Sequence, residues 1–199
     1  MPTFLNRSDY QRFLFTLNYY RFHNPNLRLS HGLRLPIDQG RKILDELEEH
    51  NTKIVEIVCF SLMPNHFHIL VKQLTENGIS TYLRKIANSY TKYFNTKHER
   101  VGPLFQGPFK AVLIEDDYQL IHVSRYIHLN ALVSSIVSDK DFISYPWSSL
   151  SDYAGKNRKF INPKIVLDQF VSKKDYMKFV LDHADYAKDI EKIKHLTFE

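Results

Sequence analysis

The chain predicts an α+β sandwich with an antiparallel sheet and helices on one face. Three observations predict it. The central elements read strand, strand, helix, strand, helix, and the first two strands are joined by the short turn Met63-Pro64-Asn65. Neither an internal repeat nor a low-complexity segment breaks that order. The length of 199 residues is enough for a chain to bury roughly 70% of its unfolded surface without staples.

Ser8 to about Phe22 predicts a helix capped by Ser8, with Phe13, Leu14 and Leu17 at helical spacing. His23 to Leu35 is irregular around Asn24-Pro25-Asn26. Asp38 to Asn51 is amphipathic, with Ile43, Leu44 and Leu47 inward and Glu46, Glu48 and Glu49 outward. Ile54 to Met63 is a β-branched and aromatic run that reads as a central strand, and His66 to Gln73 alternates as its antiparallel partner. Ile79 to Asn95 is a helix with Ile79, Leu83, Ile86, Tyr90 and Phe94 on one face, followed by a basic, Gly/Pro-punctuated loop. Phe109 to Glu115 predicts a third strand. Asp116 and Asp117 then open a helix to about Ser135, their charges suited to its N-terminus. Tyr145 to Gly155 reads as a surface segment. Asn162-Pro163 and the Ser172/Asp175 capping box start two short helices.

Composition narrows the function classes. With 27 Lys+Arg against 22 Asp+Glu the net charge is 27 − 22 = +5. Hydrophobic residues at 43% and charged residues at 25% are the balance of a globular chain, and the apolar runs fall short of the ~18 residues of a membrane span. Cys59 is the only cysteine, which excludes an intrachain disulfide framework and a cysteine-based zinc site and fits a reducing cytoplasm. A basic chain with 14% aromatics suits single-stranded nucleic acid, cations for phosphates and rings for bases, although many basic enzymes share these totals.

Two clusters carry chemistry. His66 and His68, two apart on a predicted strand, project from one face, whereas Phe67, Ile69 and Val71 point to the other. Two imidazoles so placed can grip one divalent ion, although the plainer reading is a pair of half-exposed histidines beside a hairpin. In the last long helix Leu120, Val123, Ile127 and Ala131 form an apolar stripe. His122, Tyr126 and Asn130 stack one above another on a separate face. That column is either a solvated face or a nucleophile with two helpers.

Met63-Pro64-Asn65-His66-Phe67-His68-Ile69-Leu70-Val71 resembles the His-hydrophobic-His motif of the HUH single-tyrosine transposases, near the REP-associated and insertion-sequence-200-like groups. The resemblance runs on through Tyr90-Thr91-Lys92-Tyr93-Phe94-Asn95 and Leu104-Phe105-Gln106-Gly107-Pro108-Phe109-Lys110. It ends with Ser124-Arg125-Tyr126-Ile127-His128-Leu129-Asn130 and Trp147-Ser148-Ser149. It implies a ferredoxin-like catalytic domain over 1–155 and leaves 156–199 as a C-terminal helical extension. His66, His68 and Asn130 match its metal ligands, and Tyr126 matches its nucleophile. The resemblance implies Mg²⁺ or Mn²⁺, single-stranded or hairpin DNA as partner, a 5′-phosphotyrosine intermediate, and a homodimer. A proton-handling role for His122 is our inference from the face it shares with Tyr126. Arg84, Lys85, Lys92, Lys97, Arg100 and Lys110 are candidate phosphate contacts, each equally readable as a solvated surface charge.

Departures from the pattern are informative. Related chains usually carry a strand before the first helix, and its lack here would expose a sheet edge unless another segment fills it. His23 to Gly40 looks like an insertion, Pro108 stands where a basic residue is commoner, and Ala131 where Pro is. A domesticated relative that binds DNA without cutting it is the rival expectation. An RNA-binding module of similar fold is more distant, because the polar face of the second strand offers histidines rather than aromatics.

Overall fold

The computed structural model describes residues 2–23, 25, 29 and 37–182. The expected irregular stretch and insertion between His23 and Gly40 lie largely outside these residues. Among them the elements are α1 (Arg7–Tyr20), α2 (Ile37–His50), β1 (Val55–Leu62), β2 (Phe67–Gln73), α3 (Gly78–Lys97), α4 (Asp117–Val133), α5 (Leu150–Tyr153), α6 (Lys164–Leu167) and α7 (Lys173–Leu181). The fold is α+β, and its sheet is an antiparallel pair of β1 and β2.

Contacts divide the chain into two compact units. One comprises Thr3–Glu56 and Lys72–Ala111. In it, α1 packs along α3 through Tyr82, Ile86, Tyr90 and Phe94, spaced so that one face is buried. The stripe includes Tyr82 where the sequence suggested Ile79 and Leu83, which are half-buried. The phenols of Tyr82 and Tyr90 donate to Leu17 O and Thr3 O, both at 2.9 Å, so each buried hydroxyl is satisfied. Asn6, rather than Ser8, caps α1: its Oδ1 accepts from Ser8 N (3.1 Å) and Asp9 N (3.2 Å). Ser8 lies inside the helix and gives its hydroxyl to the same oxygen. Ile43, Leu44 and Leu47 of α2 pack toward Tyr19, Phe22 and Leu29, as their spacing predicts.

The other unit comprises Met1–Pro2, Ile57–Val71 and Val112–Glu199. Its core joins Val58, Cys59 and Leu70 of the hairpin to Leu120, Ile127, Leu129 and Leu132 of α4, and to Tyr153, Val166, Tyr176 and Val180. Val166 of α6 and Tyr176 and Val180 of α7 share this core with α4 and the hairpin.

Two further expectations are corrected. Phe109 to Glu115 forms no strand; Phe109, Val112 and Leu113 are exposed, and the segment has no ladder partner among the described residues. Backbone groups without a neighbouring strand hydrogen-bond to water instead. Tyr145 to Gly155 is not a surface segment, because Ser148 through Tyr153 are buried. The segment lies along the outer edge of β1: Leu62 N donates to Trp147 O (2.8 Å), Ser149 N donates to Phe60 O (3.0 Å), and Ser61 bridges Ser148. Farther along the same strand Asn162 N donates to Ile57 O (2.8 Å) beside a parallel bridge to Ile161. Two irregular segments thus hold strand-neighbour positions that would otherwise be left as an open edge.

Candidate active site

The turn between β1 and β2 sets the histidine pair. Met63 N donates to His66 O (2.9 Å), closing the hairpin, and the two-residue period then puts His66, His68 and Leu70 on one face. Leu70 is the buried member of that face and packs in the core with α4. The rings of His66 and His68 lie 5.1 Å apart, centroid to centroid, at 88°.

The same α4 delivers Tyr126. Asp116 caps the helix by accepting from Gln119 N (2.7 Å), and the inward stripe of Leu120, Ile127 and Ala131 fixes its rotation. Tyr126 faces outward, 58% exposed, with its ring 5.5 Å from that of His68. An exposed phenol whose ring meets that of His68, which in turn meets that of His66, all within one unit, leaves an approach open to a phosphate.

Protonation favours cation binding there. Burial holds both imidazoles below the ordinary histidine value, and for His68 the neighbouring His66 adds to the effect. Neutral imidazole is the ligating form. His66 Nδ1 lies 2.7 Å from Asn65 Oδ1, an acceptor, which assigns the ring proton to Nδ1 and leaves Nε2 with its lone pair. Asn130, one turn beyond Tyr126, is half-buried and donates its Nδ2 to Tyr126 O (3.2 Å), so Oδ1 is its remaining acceptor. Among the described residues no group of three or more His, Cys, Asp or Glu side chains gathers into a metal site. Two imidazoles and an amide oxygen, as chemical types, make a donor set compatible with a hard divalent ion and phosphate oxygens.

The remaining candidates are placed differently. His122 does occupy the turn before Tyr126, but its Nδ1 accepts from Arg125 (2.7 Å) and its ring lies 4.1 Å from Tyr118 and 5.5 Å from Phe179. Those contacts draw it toward α7. Tyr90 is fully buried, and burial pushes its phenol far up, so it offers no nucleophile.

Of the six cations, all in the other unit, three hold other partners. Lys97 is bound to Asp9 (2.7 Å), Ser8 (2.6 Å), Asn6 and Tyr93 (both 3.1 Å). Lys85 donates to His23 O (2.8 Å), and Arg100 to Asn95 Oδ1 (3.0 Å). Arg84 and Lys92 are exposed on α3 opposite its buried stripe, and Lys110 is exposed on the loop after it.

Sequence reading missed His128, which is fully buried with both ring nitrogens engaged; burial pushes its imidazole down to about 3. Its position two residues from Tyr126, on the inward face, was the available signal.

Residues 38–130 match the family model described as transposase IS200 like. No curated protein and no solved structure matches the chain.

Proposed function

Starting from the match of residues 38–130 to the IS200-like transposases, we propose that the chain cuts and rejoins single-stranded DNA at hairpin-forming sequences through a covalent Tyr126 intermediate. The observation that carries this reading is the pairing of the exposed Tyr126 phenol with the His66/His68 face. Tyr126 Oη attacks phosphorus, and the bond from phosphorus to the 3′ oxygen breaks. The products are a 5′-phosphotyrosine and a strand ending in a 3′-OH, the phenol proton being lost and the departing oxygen gaining one. The ester conserves the phosphodiester, so a 3′-OH can reverse the step on a new partner without ATP.

His66, His68 and Asn130 are the residues that would hold Mg²⁺ or Mn²⁺. When bound, such an ion neutralises charge on the phosphate oxygens and polarises phosphorus. The chain's own part is positional: the hairpin fixes the imidazoles, and α4 holds Tyr126 beside them. The exposed cations Arg84, Lys92 and Lys110 supply phosphate contacts. A homodimer in the cytoplasm belongs to the same reading. Among the described residues no helix is long and apolar enough to cross a membrane.

The test is incubation of the full chain with a 3′-labelled hairpin oligonucleotide and Mn²⁺, followed by denaturing electrophoresis. A covalent adduct that Tyr126→Phe abolishes supports the enzyme. Binding without adduct refutes it and leaves the non-cleaving DNA-binding relative.

A further inference from the structure

The buried face of α4 bears on the geometry of its exposed face. His128 Nε2 lies 2.9 Å from Ser149 Oγ. That hydroxyl accepts from Phe60 N (2.8 Å) and donates to Phe60 O (3.2 Å), so both main-chain polar groups of one β1 residue end on it. In a neutral ring one nitrogen donates and the other accepts. The other ring nitrogen, Nδ1, lies 2.7 Å from the phenol oxygen of Tyr176 of α7. Ser124, one helical turn earlier, sends its hydroxyl to Ile121 O (2.8 Å) and lies 3.2 Å from the same phenol oxygen. Both ring nitrogens thus face a hydroxyl. Tyr153 closes the remaining side: its ring meets that of His128 edge-on at 4.6 Å, and its hydroxyl donates to Val58 O of β1 (3.1 Å).

The consequence is geometric. In the antiparallel register set by Met63 and His66, Ser61 stands across from His68, and Phe60 is its chain neighbour. A short route of hydrogen bonds and backbone therefore runs from His68 through β1 and Ser149 to His128, two residues from Tyr126. Apolar packing alone lets a helix slide or rotate by small amounts, whereas directional bonds to one main-chain position select a single rotation and height. We propose that His128, clamped between Ser149 and Tyr176, is a positioning residue that sets the rotation of α4 on the β1–β2 hairpin and thereby holds Tyr126 against His68. This rests on the strand-transfer reading for its consequence, but not for its geometry.

The experiment uses the full chain with Ser149→Ala and Tyr176→Phe, each removing one hydroxyl, alongside His128→Phe and the conservative His128→Gln. Far-ultraviolet circular dichroism and a cooperative unfolding transition establish which variants fold; the single-hydroxyl variants keep the question open if His128→Phe does not. The first readout is independent of activity: the Cε1–H resonance of His68 is compared with and without Tyr126→Ala in each background. The expected result is a shift caused by the tyrosine ring in the parent chain that shrinks in Ser149→Ala. The second is the single-turnover rate of adduct formation at saturating hairpin oligonucleotide with Mn²⁺. It should fall about tenfold to a hundredfold, as for a misplaced nucleophile, with the oligonucleotide Kd within about twofold and partial recovery in His128→Gln. Folded Ser149→Ala and Tyr176→Phe chains with an unchanged His68 shift and unchanged rate would overturn the proposal. A parent chain that forms no adduct refutes the strand-transfer reading alone, and the His68 shifts then decide the positioning.

Discussion

Replacing Asp9 with Asn tests whether a buried charge, rather than a DNA contact, explains Lys97. The Asp9 side chain is fully buried and accepts from Leu5 N (3.0 Å), Tyr93 Oη (3.0 Å) and Lys97 Nζ (2.7 Å), with His98 Nε2 at 3.3 Å. Asn keeps the shape but removes the charge and turns an amide donor toward other donors. Removing one partner of a fully buried pair costs about 3–5 kcal/mol, but Lys97 is 30% exposed and can turn to water, so about 1–3 kcal/mol is the working figure. Burial pushes the Asp9 carboxyl up, yet hydrogen bonds from Lys97, Leu5 N and Tyr93 and the charge of Lys97 outweigh it, and the net direction is down. A carboxyl held below its unfolded value contributes stability above that value and loses it as pH falls through the folded one. Urea unfolding of Asp9→Asn should therefore show a constant deficit near neutral pH that closes below about pH 4. A deficit under about 0.5 kcal/mol at pH 7, or one that widens on acidification, refutes the reasoning.

The cations on α3 behave differently. Arg84→Ala and Lys92→Ala are expected to leave unfolding within about 0.5 kcal/mol of the parent and to reduce the salt dependence of oligonucleotide binding by roughly one unit of slope for each phosphate no longer neutralised; unchanged slopes in fluorescence anisotropy remove them from the interface. His66→Ala and His68→Ala should each weaken Mn²⁺ binding at least tenfold, about 1.4 kcal/mol, read by calorimetry or by the electron-paramagnetic signal of free Mn²⁺. In the parent, both imidazoles lie below the ordinary value of 6.5, so Mn²⁺ affinity should be flat above that pH and fall only beneath it; a decline beginning at pH 8 contradicts the assignment. Gly78→Ala should destabilise by about 1–3 kcal/mol, because a Cβ there would run into the Ile54 carbonyl oxygen; a neutral result by urea unfolding speaks against that close approach.

Much of the site was legible in local pattern. The two-residue period put His66 and His68 on one strand face, and the helical period put Tyr126 outside and Ile127 inside α4. Both are properties of a few consecutive residues. What failed depended on partners remote along the chain. Phe109 to Glu115 has a strand-like apolar run, but a strand needs a neighbour, and the outer edge of β1 is lined instead by residues near 148 and 161. Lys97 reads as a surface charge until Asp9, 88 residues earlier, is seen beneath it.

The amino-acid order alone determined which helices and hairpin form and which chemical groups each presents, because capping, turn geometry and hydrophobic period act over single turns. Tertiary structure decided which segments line the edge of β1, that the phenol of α4 meets the His68 imidazole of β2, and that His128 is fixed between two hydroxyls. Bonds such as Ser149 to Phe60 join residues 89 apart, and only the folding of the whole unit brings them within hydrogen-bond reach.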